Sequence, residues 1–148
     1  MKRKGQAAME FLMTYGWAIL AAVIVIGVLA YFGVFNPGKY APKTCMISAP
    51  FGMSSGDCQA SATNGVQLAI TNGAGESITI YSVSVTNCGT NNTQMSVADG
   101  AKQTVIVPCS PALTQGNNFK GDVTVTYKRG DAAFNETSTG KIIQTVVA

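Results

Sequence analysis

The sequence predicts an α+β protein, in which one long hydrophobic α-helix at the N-terminus precedes an antiparallel, sandwich-like β domain. Three observations support this fold class. No charged residue lies between Glu10 and Lys39. Beyond residue 43, apolar and polar residues alternate in short runs, as in strands that bury one face. All four cysteines also lie beyond residue 43. We therefore expect a leader over residues 1–5, a helix over 6–36, a hinge over 37–43 and a β domain over 44–148.

The charge-free run is long enough to cross a membrane. It offers 28 positions, residues 11–38, whereas about 20 residues at about 1.5 Å each span a hydrocarbon core. Pro37 and Gly38 are expected to end the helix. The basic residues 2–4 favour a cytoplasmic N-terminus, which would place residues 40–148 outside the cell. Three glycines are expected to let neighbouring helices approach closely: Gly16, Gly27 and Gly33.

A specific motif joins the basic leader to the apolar run. Gly5-Gln6 follows Lys4, and Glu10 lies at the edge of the run, where an unpaired charge entering lipid costs about 3 kcal/mol. These residues, in the stretch KGQAAMEFLMTYGWAIL, resemble the class III signal peptide of archaeal type IV pilin-like proteins. The resemblance implies that a prepilin peptidase cuts between Gly5 and Gln6 and recognises Lys4. Cleavage would create a positive amine on Gln6, which could neutralise Glu10 in a filament core of low dielectric, so we expect both residues to act in assembly. Alternatively, Glu10 could lie at the membrane interface without a partner. Ala8 stands where the family often has Ser, two residues after the Gln.

The same resemblance implies a function. The chain would be a structural subunit of an archaeal type IV pilus-like surface filament that serves adhesion or another surface contact. Its partners would be further copies of itself, the prepilin peptidase, the pilus assembly machinery and the membrane. The precursor would be a single-pass membrane protein, and the mature chain would lie in an extracellular filament.

Other interpretations of the N-terminus remain open. The helix could tether a monomeric ectodomain that binds a ligand or an envelope component. An ordinary secretory signal would be cleaved after Ala30 and leave Tyr31 as the N-terminus, although the apolar run is longer than such signals require. A weaker alternative is a secreted enzyme.

The β domain is predicted to form six to eight short strands, the pattern of an antiparallel sandwich. The apolar phase changes between Ile80 and Tyr81, which predicts a β-bulge. Asp99-Gly100 predicts a tight turn that joins residues 95–107 into a hairpin. The expected strands cover residues 66–71, 77–87, 95–97, 105–107, 123–127, a short one at Ala133 and Phe134, and 141–147.

The four cysteines predict two disulfides, because an even number in a small exported domain is typical of cross-linking. A zinc site is the competing interpretation, but the chain has no His and no closely spaced Cys pair. Of three possible connectivities, Cys45–Cys58 and Cys88–Cys109 close the shortest loops. The second pair would then clamp the ends of the expected hairpin.

Charge and composition give no sign of catalysis. Three of the ten basic residues lie in the leader, so 10 − 3 = 7 remain against seven acidic ones, and no basic cluster suggests nucleic-acid binding. We expect no catalytic residue, metal or cofactor, because the chain lacks His, a Gly-rich phosphate loop and paired carboxylates. The acids of the β domain are scattered singly: Asp57, Glu76, Asp99, Asp122, Asp131 and Glu136.

Two Asn-x-Thr sequons lie in polar stretches of the β domain, at Asn91 and Asn135. Such sequons accept N-linked glycans in exported proteins. We therefore expect these two asparagines to be candidate glycosylation sites.

Overall fold

The computed structural model describes residues 3–36, 40 and 42–148. The chain forms two compact units, Met1–Tyr40 and Ala41–Ala148, so their boundary falls within the predicted hinge. Residues 37–39 and 41 of that hinge, including Pro37 and Gly38, lie outside the described residues, as do residues 1–2 of the predicted leader.

The first unit contains helix α1, which extends over Arg3–Tyr31 instead of the predicted 6–36. Its start is earlier because Lys4 and Gly5, assigned to the leader, are already helical. The predicted cleavage junction therefore lies in the first helical turn.

Gly33 ends the helix, whereas the sequence suggested a contact position there and a stop at Pro37. Its φ of 70° is left-handed, a conformation that glycine adopts without steric cost. The Gly33 amide donates to the Ala30 carbonyl at 3.0 Å, and the Val34 amide donates to the Leu29 carbonyl at 3.1 Å. These two bonds define a Schellman C-cap, which satisfies carbonyls at the helix end.

The second unit is a two-layered antiparallel β domain. Ten strands follow one another: β1 (Thr44–Ile47), β2 (Phe51–Gly52), β3 (Cys58–Ser61), β4 (Gly65–Asn72), β5 (Ile78–Val85), β6 (Gly89–Asn91), β7 (Met95–Val97), β8 (Lys102–Val107), β9 (Asn118–Arg129) and β10 (Glu136–Thr145). The large sheet has the order β1-β10-β9-β5-β6, with β7 also paired to β5. The small sheet has the order β2-β4-β3, with β8 also paired to β4. The predicted α+β fold class is confirmed.

The core lies between the two sheets, because alternate residues of each strand point inward. Phe51 of the small sheet meets Tyr127 of the large sheet edge to face, with ring centroids 4.9 Å apart. Each fully buried aliphatic side chain contributes about 1.5–3 kcal/mol. The largest fully buried side chains are Leu68, Ile70, Ile78, Ile80, Ile142 and seven valines of β4, β5, β8 and β9.

The predicted β-bulge is present in β5. Its register against β9 shifts between Ile80 and Ser82, so Tyr81 has no partner. The extra residue lets Ile80 and Val83 both point into the core, which a regular alternation would not allow.

The predicted hairpin over residues 95–107 is wrong. The turn itself forms, since the Ala101 amide donates to the Ala98 carbonyl at 3.0 Å and Gly100 has a φ of 72°. However, β7 pairs with β5 in the large sheet and β8 pairs with β4 in the small sheet. The turn therefore carries the chain from one sheet to the other. As a result, β7 and β8 can each bury valine side chains against the opposite sheet.

The short strand predicted at Ala133 and Phe134 is also wrong. Both residues belong to the loop between β9 and β10, and Phe134 is 82% exposed. The last strand instead begins at Glu136, earlier than the predicted residue 141. Arg129, at the end of β9, forms a 2.7 Å ion pair with Glu136 across the loop, and the pairing of β9 with β10 begins directly after the loop.

Candidate functional site

The most conspicuous feature of the molecule is the uncovered apolar surface of α1. Lys4–Tyr31 has a mean hydropathy of 2.3 and is long enough to cross a membrane, and none of its most apolar stretch is buried within the chain. A helix that is apolar on every side needs lipid or other helices around it. Even the large side chain of Trp17 is 70% exposed.

Aromatic residues lie near both ends of this helix. The rings of Phe11 and Tyr15 stack one turn apart, with centroids separated by 4.8 Å, and those of Tyr31 and Phe32 meet at 5.6 Å. Phe11 and Tyr31 are separated by a rise of about 30 Å along a helix, the thickness of a hydrocarbon core. Aromatic belts at this spacing are typical of membrane interfaces.

The predicted processing and assembly residues all lie in the first two turns of α1. Lys4, Gly5, Gln6 and Glu10 are exposed. Gln6 and Glu10 are four residues apart, so they share one face of the helix, with Cβ atoms about 5–6 Å apart. A Cβ added to Gly5 would meet no other atom within 4 Å, so the helix itself does not require glycine there.

The Glu10 carboxylate has no partner among the residues that the structure describes. Thr14 donates its hydroxyl to the backbone carbonyl of Glu10 at 2.9 Å and leaves the side chain free. A chain that begins at Gln6 would carry a positive amine on the same helix face. It would also place Glu10 near the positive end of the helix dipole, where an acidic residue is favoured.

Two disulfides connect the sheets of the β domain. Cys45 of β1 is bonded to Cys58 of β3, with Cα atoms 6.2 Å apart. Cys88, after β5, is bonded to Cys109, after β8, with Cα atoms 4.0 Å apart. These are the two pairs that were predicted from the shortest loops. Each bond joins the large sheet to the small one. Because β7 and β8 form no hairpin, Cys88–Cys109 does not clamp one. Disulfides in so small a domain indicate an oxidising environment.

The two sequons differ in accessibility. Asn91 lies in β6, where its Nδ2 donates to the Ile106 carbonyl at 2.7 Å and its Oδ1 accepts from the Thr93 amide at 2.8 Å. Asn135 is exposed in the loop before β10, and its side chain forms no hydrogen bond with a described residue. Attachment of a glycan would therefore disturb the fold less at Asn135.

Asp57 forms part of a structural turn. Lys102 Nζ lies 2.6 Å from Asp57 Oδ1, and the Ser54 hydroxyl and amide both donate to Oδ2, at 2.7 and 2.9 Å. These contacts, the Lys102 hydrogen bond foremost, lower the pKa of Asp57 to about 2. The Ser-x-x-Asp spacing is a known turn signal that would have identified this role from the sequence.

Glu136 is held in a second polar cluster. Arg129 Nη2 lies 2.7 Å from Glu136 Oε2, and the Tyr127 hydroxyl donates to the same oxygen at 2.8 Å. Hydrogen bonds from Arg129 and then Tyr127 lower the pKa of the Glu136 carboxyl. Burial, followed by the bond to Glu136, raises the pKa of Tyr127.

Within residues 3–36, 40 and 42–148, no three His, Cys, Asp or Glu side chains form a group that could hold a metal ion.

No protein-family model matches this chain, and no curated protein matches it with significant similarity. What the chain can do is therefore inferred from its uncovered helix, the motif at the start of that helix and the disulfide-bonded β domain.

Proposed function

We propose that this chain is a pilin-like structural subunit of an archaeal type IV pilus-like surface filament. A prepilin peptidase would cut between Gly5 and Gln6, and the assembled filament would serve adhesion or another surface contact. The observation that supports this function most strongly is a helix of 29 residues whose most apolar stretch is not buried by any residue that the structure describes.

In the proposed function, this helix occupies two environments, one before assembly and one after it. Lipid surrounds it in the precursor, and the helices of other copies surround it in the filament. Close helix approach favours small residues, and Gly16 and Gly27 both have open space where a side chain would project. Ala18 and Ala22 add a small pair one turn apart.

The position of Glu10 supports assembly beyond simple anchoring. A lone carboxylate is costly in a core of low dielectric, where an opposite charge attracts it strongly. Cleavage after Gly5 creates a positive amine on Gln6, and this amine, on the same or a neighbouring subunit, would neutralise Glu10. This pairing gives a physical reason both for an acidic residue four positions after Gln6 and for cleavage directly before Gln6.

The β domain has the properties of an exported head. Its disulfides form in oxidising compartments, and the basic residues 2–4 favour retention of the N-terminal end in the cytoplasm. The filament would thus display the β domain on its outer surface.

Substitution of Glu10 tests this proposal. We expect Glu10→Ala to be inserted and processed but to form about tenfold fewer filaments or none, since loss of one buried charge partner costs about 3–5 kcal/mol. Met13→Ala, which shortens an exposed apolar residue of the same helix, is the matched control and should assemble. Electron microscopy of cells that express each variant provides the measurement. Normal filaments from Glu10→Ala would refute the pairing of Glu10 with the amine.

The N-terminus of the mature chain separates the proposal from its alternatives. Mass spectrometry should find Gln6 as the first residue. Met1 would indicate an uncleaved membrane tether, and Tyr31 would indicate ordinary secretion.

A further inference from the structure

Two features at opposite ends of the β domain are complementary in charge. The first, here called the acidic knob, is the loop of residues 130–135 between β9 and β10. It carries Phe134, which is 82% exposed, and the exposed Asp131. The second, here called the basic hollow, is a cavity of about 410 Å³ on the outer face of the large sheet, lined by Thr86, Asn87, Lys120, Asp122, Lys141 and Ile143.

The acidic knob is presented by a fixed base. The Gly130 amide donates to the Ser77 carbonyl at 3.1 Å, and the Ala132 amide donates to the Arg129 carbonyl at 2.8 Å. The Arg129–Glu136 ion pair closes the loop where β10 begins. An exposed aromatic side chain on a loop that is held in this way is suited to anchor a contact with another molecule.

The surroundings of the knob are acidic. Glu76 lies beside Gly130, where a Cβ on the glycine would come within 2.7 Å of Glu76 Oε2. Asp99 accepts a hydrogen bond from the Gly75 amide at 2.9 Å, so its carboxylate belongs to the same group of turns. The carboxylates of Glu76, Asp99 and Asp131 thus lie on these turns, whereas Arg129 is paired with Glu136 and Lys128 adds one positive charge at this end of β9.

The basic hollow combines an apolar floor with a positive rim. Ile143 is half-buried, whereas Lys120 and Lys141 are exposed. Asp122, which lies 3.9 Å from Lys141, offsets one of these two positive charges, so the rim keeps a net positive charge. The strands pair Lys120 with Ile143 and Ile143 with Thr44, so the hollow lies at the end of the domain where β1 begins.

The two features cannot meet within one molecule. Lys120 and Arg129 lie on the same strand, β9, and nine residues of strand separate them by about 30 Å. A knob and a hollow that face opposite ends of one domain can therefore join only different copies. Contacts between two unlike surfaces of identical chains do not close on themselves unless a ring forms, and they otherwise produce an open helical filament.

We propose that the acidic knob of one copy of this chain docks into the basic hollow of the next copy. Phe134 contacts Ile143, and Asp131 lies near Lys120 and Lys141. The partner is a second copy of this chain because the charges at the two ends of the domain are complementary. This contact rests on the proposed filament, in which it links successive heads.

A photo-crosslinking analogue of phenylalanine in place of Phe134 tests the contact directly in full-length protein on cells. We expect an adduct of two chains whose cross-linked peptide contains a residue of the basic hollow. The same analogue in place of Ile106, which is 46% exposed on the other sheet, should give no adduct with the hollow. Adducts that map elsewhere on the chain, or to another molecule, would overturn the proposal.

Charge reversal provides a second measurement. Phe134→Ser and Lys120→Glu should each reduce filaments about tenfold or more, the effect of losing a central anchor or its charge partner, without reducing the amount of processed chain. Thr104→Glu, which places a negative charge at an exposed position of β8 in the small sheet, should assemble normally. Lys120→Glu combined with Asp131→Lys should restore filaments. Normal filaments from both Phe134→Ser and Lys120→Glu would refute the contact.

The two proposals fail in different ways. Filaments with adducts outside the hollow would leave the filament function intact and overturn the knob contact. Adducts within the hollow on cells that never form filaments would support the contact and contradict the filament function.

Discussion

Asn72 is the residue on which the connection between the two sheets depends most closely. It is fully buried, and its Nδ2 donates to the carbonyls of Glu76 at 2.8 Å and Val97 at 2.9 Å. Its Oδ1 accepts from the Ala74 amide at 2.9 Å. One side chain of the small sheet thus satisfies three backbone groups of the turns that lead into the large sheet, which explains a buried polar residue at the end of β4.

Asn72→Asp should destabilise the protein strongly although its shape is almost unchanged. An ionised carboxylate cannot donate to the two carbonyls and is costly to bury, so we expect the free energy of unfolding to fall by about 3 to 5 kcal/mol. Denaturant unfolding of the oxidised, detergent-solubilised chain measures this change. Asn92→Asp, the same change at an exposed position, should stay within about 0.5 kcal/mol of wild type. Similar stabilities of the two variants would contradict the role of Asn72.

Asp57 should make stability depend on pH in the acid range. Its pKa is about 2 in the folded chain, below the ordinary 3.8, so the ionised form favours folding. Stability from this carboxylate is therefore fully present above about pH 4 and is lost as the pH falls towards 2. Melting temperatures of wild type and Asp57→Asn should differ at pH 6 and converge between pH 4 and 2. Parallel melting curves across this range would show that Asp57 does not contribute.

At the scale of the element, Gly5 lies in helix α1 without a structural need for glycine. Gly5→Val should leave unprocessed precursor in the membrane, because the proposed peptidase requires a residue without a side chain and the helix has room for one. Gly16→Val, at a second glycine with open space in the same helix, should be processed normally. Immunoblots of membrane fractions distinguish precursor from mature chain. Mature Gly5→Val protein at the wild-type level would show that the junction lies elsewhere.

Local signals predicted the elements of this chain better than their connections. A run without charge, an alternation of apolar residues and the phase change at Tyr81 each act over a few residues, so they could be read from the sequence. Asp99-Gly100 predicted its turn for the same reason. Whether Val97 and Val105 join one sheet or two depends on partners distant in the chain, β5 and β4, and no local pattern contains that information.

The candidate site shows the same division. Lys4, Gly5, Gln6 and Glu10 are neighbours in the sequence, and a helical period is enough to place them on adjacent turns. The basic hollow brings together residues of β9, β10 and the turn after β5, and only the folded register does so. The end of α1 was misjudged for another reason, since Gly33 resembles a packing glycine until its left-handed φ is known.

At the scale of the whole molecule, the two disulfides determine how firmly the sheets are joined. Each closes a short loop, with sequence separations of 13 and 21 residues, which corresponds to about 3 kcal/mol per bond in the chain-entropy model. Replacement of either pair, Cys45→Ser with Cys58→Ser or Cys88→Ser with Cys109→Ser, should lower the free energy of unfolding by about this amount. Denaturant unfolding under oxidising conditions measures the loss. A loss below about 1 kcal/mol for either pair would contradict the cross-linking role.

The position of Cys45 has a mechanical consequence. β1 is the edge strand of the large sheet, and the chain arriving from the helix enters it at Thr44. A pull on the helix would peel an ordinary edge strand from its neighbour one residue at a time. Here the tension reaches Cys45 after a single residue and passes through a covalent bond into β3 of the small sheet. Both sheets therefore carry the load together, and the domain resists extension as one body for as long as that bond stays oxidised.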